Sequence, residues 1–136
     1  MLEIQHFLKK YSTGFQLEID SLLLNEGIHL IQGKNGAGKS TLFKAIAGIQ
    51  TFQGEILLDD LNLEKEPFAF RKKVNYAEAE PLYPEFLSLS ELILFVVKAK
   101  EAPRDQIERL KSRFGVTEFM EQPVATYSSG MLIKFS

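Results

Sequence analysis

Residues Gly33-Lys34-Asn35-Gly36-Ala37-Gly38-Lys39-Ser40 carry the densest chemistry in this chain, because they fit the spacing Gly-x-x-x-x-Gly-Lys-Ser/Thr. Glycines at those places let the backbone turn tightly, so that successive N–H groups point inward at an anion. A helix beginning at the end of the loop adds the positive end of its dipole. Lys39 then supplies a point charge for the β- and γ-phosphates of a nucleoside triphosphate, and the Ser40 hydroxyl is an oxygen ligand for the magnesium ion that bridges them. The neighbouring residues are the ones this chemistry needs. Gly27-Ile28-His29-Leu30-Ile31-Gln32 reads as a strand running into the loop, and Thr41 to Ala47 carries apolar residues at helical spacing, with Gly48 as its C-terminal stop.

The remaining elements must present that loop. Residues 2 to 8 and 15 to 19 are apolar-rich runs separated by Lys9-Lys10-Tyr11-Ser12-Thr13-Gly14, a hairpin pattern. Gly54 to Asp60 reads as a strand closed by a turn, and Lys73-Val74-Asn75-Tyr76-Ala77 as a further strand. From Ser88 the periodicity becomes helical. Ser88 with Glu91 fits a capping box, and Pro103 opens a second helix with Ile107, Leu110 and Phe114 on one face before Gly115 ends it. The expected fold class is α/β.

Composition narrows the function classes. At 136 residues the chain suits one domain, and 45% hydrophobic with 25% charged residues argues against disorder. A net charge of -2 with scattered basic residues offers no stripe for a nucleic-acid backbone, so no nucleic-acid partner is expected. Cysteine is absent, which removes disulfides, thiol catalysis and thiolate metal sites together. His6 and His29 are far apart and sit in strand-like runs, where structural roles are expected. The longest apolar run, Leu92 to Val97, falls far short of the roughly 18 to 20 residues that cross a bilayer. Direct membrane insertion is therefore not expected, and a start at Met1-Leu2-Glu3-Ile4 shows no secretion signal, so a cytoplasmic location is.

From Tyr11 through Asp60 the order of features resembles the ATP-binding subunits of ABC transporters, most closely over GKNGAGKSTLFKAIAG, residues 33 to 48. The resemblance implies a partial P-loop NTPase fold of ABC type over 1–136. Residues 1–80 would form a β-rich nucleotide-binding core, with an antiparallel β-subdomain at the N-terminus, and 81–136 a helical subdomain leading into the signature motif. It also implies that Tyr11 stacks on adenine and that Gly33, Asn35, Gly36, Ala37, Gly38, Lys39, Ser40 and Thr41 hold the phosphates of ATP, with Mg2+ on Ser40. The stretch Val74 to Pro84 is similar to the family's glutamine loop without its glutamine, whose place falls on Glu78, Ala79 or Glu80 depending on the direction of counting. Glu78 is the expected additional magnesium ligand. Tyr127-Ser128-Ser129-Gly130-Met131 resembles the LSGGQ signature, matching fully at Ser128 and Gly130 only. In the family, that segment opens a helix and meets the γ-phosphate held by the opposite subunit, which assigns Ser128, Ser129 and Gly130 to the nucleotide as well.

The partners implied are a transmembrane permease, contacted near Glu78 to Phe86, and a second ATP-binding subunit. The location implied is the inner face of the plasma membrane, reached through the permease. The resemblance further places the Walker B strand, the catalytic glutamate and the switch histidine after Ser136. The 136 residues by themselves are accordingly expected to bind ATP without efficient hydrolysis, with no catalytic residue of their own beyond Glu78 as the glutamine-loop equivalent. They are also expected to cover exposed strand edges by rearrangement, oligomerisation or strand exchange. Two other readings stay open: a non-catalytic, degenerate relative of the family, and another soluble P-loop NTPase. A GTPase is disfavoured because no Asn-Lys-x-Asp motif occurs.

Overall fold

The computed structural model describes residues 1–78 and 82–133. They form two compact units, Met1–Tyr76 and Ala77–Ser136.

The first unit is built on the expected hairpin, longer than its apolar runs suggested. Strands β1 (Leu2–Lys10) and β2 (Gln16–Leu24) pair antiparallel from Leu2↔Leu24 to Lys10↔Gln16. Strand β3 (Gln53–Leu58) pairs with the other edge of β1, and the two-residue β4 (Leu61–Asn62) closes the sheet in the order β2-β1-β3-β4. Strict alternation would bury Ile4 and a residue two positions on, yet Ile4 and Phe7 are the buried pair of β1. The bulge at His6, with φ 49°, accounts for this: the register against β3 shifts between Gln5 and Leu8, which turns Phe7 inward to stack on Phe52 at 5.2 Å. Helix α1 (Lys39–Ile46) contributes Leu42 and Ala45 to the core formed with Ile4, Phe7, Ile56, Leu63 and Phe70. Phe70 comes from helix α2 (Pro67–Lys73), which the strand pattern did not foretell; Pro67 lies in its first turn and Arg71, Lys72 and Lys73 in its last, as the helix dipole favours.

Two expected strands are not strands. Residues 27–32 carry no ladder, and Lys73 ends α2, leaving Val74 extended (φ -107°, ψ 133°) outside the named strands. The physical reason is pairing. β-propensity chiefly measures fit to a pleated, partnered surface, and neither segment joins the four-strand sheet. Ile28 and Leu30 are consequently 103% and 80% exposed.

In the second unit, helix α3 (Leu89–Lys100) begins at the capping box read from sequence: the Ser88 Oγ accepts from the Glu91 N–H at 3.2 Å, while the Glu91 carboxylate accepts from the Ser88 N–H at 2.8 Å. The Ser88 N–H and, after it, the Ser88 hydroxyl donating to the same carboxylate at 3.0 Å hold the Glu91 carboxyl below its ordinary value of 4.5, against a smaller opposing effect of desolvation. Helix α4 (Arg104–Phe114) follows Pro103 and ends at left-handed Gly115. Leu89, Val116, Met120, Val124 and Tyr127 make the core, and a five-residue helix α5 (Ser129–Ile133) closes the described chain. Among the described residues, no helix is long and apolar enough to cross a membrane.

Candidate functional site

The loop between residues 28–32 and α1 is shaped by its glycines and its lysine. Gly36 and Gly38 both take positive φ, 80° and 94°. The Ala37 N–H donates to the Lys34 carbonyl at 3.1 Å, which tightens the bend. Lys39 Nζ folds back to donate to the Gly33 carbonyl at 2.7 Å and the Lys34 carbonyl at 2.9 Å, so the ammonium is held at the loop. Gly38 caps α1 with no side chain accepting from the first N–H groups, and the first turn has no acidic residue. Nothing within the helix neutralises its positive end, which leaves those donors to an anion.

A cavity of about 570 Å³ opens on this loop, lined by Tyr11, Thr13, Phe15, Asn35, Gly36, Gly38, Lys39, Ser40 and Thr41. That volume lies within the usual range for small-molecule sites. The structure thus brings Tyr11 to the same concavity as the loop, although 22 residues separate it from Gly33. Gly33 and Ala37 serve the turn itself: the Gly33 carbonyl takes the Lys39 bond, and the Ala37 Cβ would stand 3.3 Å from a Cβ added at Gly33.

Tyr11 sits where β1 runs out. Its N–H donates to the Phe15 carbonyl at 2.9 Å, and the Gly14 N–H donates back to the Tyr11 carbonyl at 3.0 Å, closing the hairpin turn. The Tyr11 hydroxyl shares a hydrogen bond with the Thr41 hydroxyl at 3.2 Å and accepts from the Gln50 amide. The bond to Thr41, and after it the Gln50 amide and the Lys9 and Lys44 ammoniums, hold the phenol below its ordinary value of 10.0 against an opposing effect of desolvation.

Two lining residues, Thr13 and Phe15, were missed in the sequence. Phe15 lies 5.9 Å from Tyr11, ring to ring, and 3.2 Å from a Cβ added at Gly38, so it roofs the base of the loop. An aromatic pair on either side of a glycine-containing turn was the signal available.

Ser40 is exposed in the first turn of α1 and borders the cavity beside Lys39. Magnesium keeps several waters and takes only one or two protein oxygens besides phosphate, so a lone accessible hydroxyl fits such an ion. Among the described residues no cluster of three or more His, Cys, Asp or Glu could hold a metal alone.

The other expected site residues lie in the second unit. Glu78 is half-buried there, and the alternatives Ala79 and Glu80 lie outside the described residues. At 127–131, the Ser128 hydroxyl accepts from the Met131 N–H at 3.3 Å and the Ser128 carbonyl from the Leu132 N–H at 3.0 Å, so α5 starts on this serine. Ser129 and Gly130 are exposed. Tyr127 is buried instead, its ring edge-on to Phe119 at 5.1 Å and its hydroxyl donating to the Phe119 carbonyl at 2.8 Å. Burial pushes the Tyr127 phenol up, with a backbone hydrogen bond from Leu89 opposing.

The ABC transporter family profile matches residues 18–136, well over half of the chain. The autoinducer 2 import ATP-binding protein LsrA of Enterobacter sp. (strain 638) is 33% identical over 124 residues, covering 82% of this chain and 24% of its own. The energy-coupling factor transporter ATP-binding protein EcfA1 of Mycoplasma mobile is 27% identical over 141 residues, covering 96% of this chain and 51% of its own. A solved ATP-binding subunit of an ABC transporter superposes with a TM-score of 0.81 at 27% identity, over 98% of this chain and 58% of that one. The chain thus spans about a quarter to a half of these curated relatives. Its fold is that of an ABC ATP-binding domain in part, and the chain belongs to the ABC transporter family.

Proposed function

We propose that this chain is the nucleotide-holding part of an ATP-binding subunit that powers an ABC transporter. The observation that carries the reading is the single cavity edge shared by Tyr11, Asn35, Gly36, Gly38, Lys39, Ser40 and Thr41. It combines an aromatic face with backbone donors, an ammonium and an exposed hydroxyl, the set a purine triphosphate with magnesium requires. Tyr11 stacks on the base, an interaction worth about 1–3 kcal/mol in nucleic-acid complexes. The turn N–H groups from Gly33 through Thr41 and the Lys39 ammonium take the phosphate oxygens. Ser40 would hold Mg2+, whose charge would offset that of the β- and γ-phosphates.

Ser128, Ser129 and Gly130 meet the nucleotide of a second ATP-binding subunit, at the exposed start of α5. Binding that favours the closed pair over the open one is what lets nucleotide do work on a permease. The location that follows is cytoplasmic, at the inner face of the plasma membrane. The 136 residues alone bind ATP without efficient turnover, since positioning of the attacking water requires groups beyond a phosphate cradle. A second reading, a non-catalytic relative, is favoured by the departures at Tyr127, Ser129 and Met131 from the signature and by the glutamine missing near Glu78.

Titration calorimetry with MgATP tests the proposal. Lys39→Ala removes a charged donor worth about 1.5–3 kcal/mol, so affinity falls roughly 10- to 150-fold. Unchanged affinity in this variant, or stronger binding of GTP than ATP, would refute the reading. Turnover by the 136-residue chain at a rate near that of full-length relatives would refute the separation of binding from hydrolysis.

A further inference from the structure

The Tyr11 ring is held at more points than a strand-end side chain needs, and the holding group lies outside the cavity. Its hydroxyl accepts from the Gln50 amide and is bonded to Thr41 on the first turn of α1. Gln50 is itself fixed, because its N–H donates to the Lys44 carbonyl at 3.2 Å at the end of α1, beside the Ile49 N–H donating to the same oxygen at 2.9 Å. The next residue acts on the same ring through a cation: Thr51 Oγ1 accepts from Lys9 Nζ at 3.3 Å, and that ammonium stands 5.4 Å from the Tyr11 centroid. The segment Gln50–Thr51 therefore reaches Tyr11 twice, while neither residue lines the cavity on the phosphate loop.

We propose that Gln50 is a positioning residue for the nucleotide base, fixing the Tyr11 ring before the base arrives. The inference rests on the reading of Tyr11 as the base platform. A tyrosine without the Gln50 bond keeps its area but gains rotational freedom that binding must then remove. Immobilising one such side chain corresponds to about a two- to tenfold loss of affinity. The effect belongs to the base and not to the phosphates, because Gln50 touches the phenol and the far end of α1, not the loop.

The test is calorimetric titration of Gln50→Leu, Tyr11→Phe, Tyr11→Ala and the Gln50→Leu/Tyr11→Phe double variant with MgATP and with magnesium tripolyphosphate, which has no base. Melting curves confirm that each variant is folded. Gln50→Leu is expected to weaken MgATP about two- to tenfold and to leave tripolyphosphate affinity unchanged. In the Tyr11→Phe background, where the hydroxyl is already gone, the same substitution is expected to change nothing. Equal weakening of both ligands, or the same loss with and without the Tyr11 hydroxyl, would show that Gln50 only supports α1 and would overturn the proposal. Should Tyr11→Ala leave MgATP affinity intact, the platform reading fails; should Tyr11→Ala weaken it while Gln50→Leu does not, Gln50 alone is refuted.

Discussion

Gly54 and Gly36 both take left-handed backbone conformations, and replacing each by alanine separates the sheet that supports the site from the cradle within it. At Gly54, φ is 104°, and a Cβ would lie 2.4 Å from the His6 carbonyl oxygen and 2.6 Å from that of Gln5. Real Cβ contacts essentially never fall below 3.0 Å, so something must move by about 0.6 Å. What must move is backbone, at the bulge of β1, which β2 holds from the other side. The left-handed conformation costs about 1–2 kcal/mol for a residue with a Cβ, and overpacking against atoms that cannot rotate away adds about 1–3 kcal/mol. Gly54→Ala is therefore expected to destabilise by roughly 2–5 kcal/mol, a large share of a typical 5–15 kcal/mol. Gly36 has φ 80° with nothing within 4 Å of its added Cβ, so Gly36→Ala carries only the conformational part, about 1–2 kcal/mol. Urea unfolding followed by far-UV circular dichroism measures both, and calorimetry on the folded fraction completes the contrast. Gly54→Ala should bind MgATP as the parent does, whereas Gly36→Ala, which lines the cavity, should bind it more weakly. Equal destabilisation by the two substitutions would refute the clash argument.

The capping box of α3 predicts two further outcomes. Ser88→Ala removes the side chain that accepts from the Glu91 N–H and should cost about 1 kcal/mol in urea unfolding, with Ser88→Asp restoring most of it. Because the folded Glu91 carboxyl is held below 4.5, its contribution is complete above that pH and fades as pH falls through the lowered folded value; Glu91→Gln should flatten this part of the acid-unfolding profile, and an unaltered profile would remove Glu91 from the account. In Tyr127→Phe the Phe119 carbonyl loses its 2.8 Å donor, with an expected cost of about 1 kcal/mol by thermal or urea unfolding and no change in MgATP affinity of the first unit.

What could be read in advance divides along a physical line between local and non-local determinants. The phosphate loop was legible because its demands are met within eight consecutive residues: a tight bend, a lysine that returns to the Gly33 and Lys34 carbonyls, and a helix whose first turn has no competing acid. The caps of α3 and α4 were legible for the same reason, since Ser88 and Glu91 satisfy one another and Gly115 needs no distant partner for its left-handed φ. Strands are different. Ile28 to Gln32 and Val74 to Ala77 have the composition of strands, but a strand exists only where another backbone lies alongside, and the partner's position is not encoded in the segment itself. The bulge at His6 defeated alternation by the same route, because the register of β1 is settled jointly with β3 and only then decides that Phe7 turns inward. The site follows this division. Its glycine-loop half is a local object, whereas its aromatic half depends on Tyr11, Phe15, Thr41 and Gln50 arriving from the hairpin turn and from both ends of α1. A single-sequence motif therefore finds the glycine loop and its lysine more readily than the aromatic side of the cavity. That aromatic side is assembled from separated residues by side-chain hydrogen bonds.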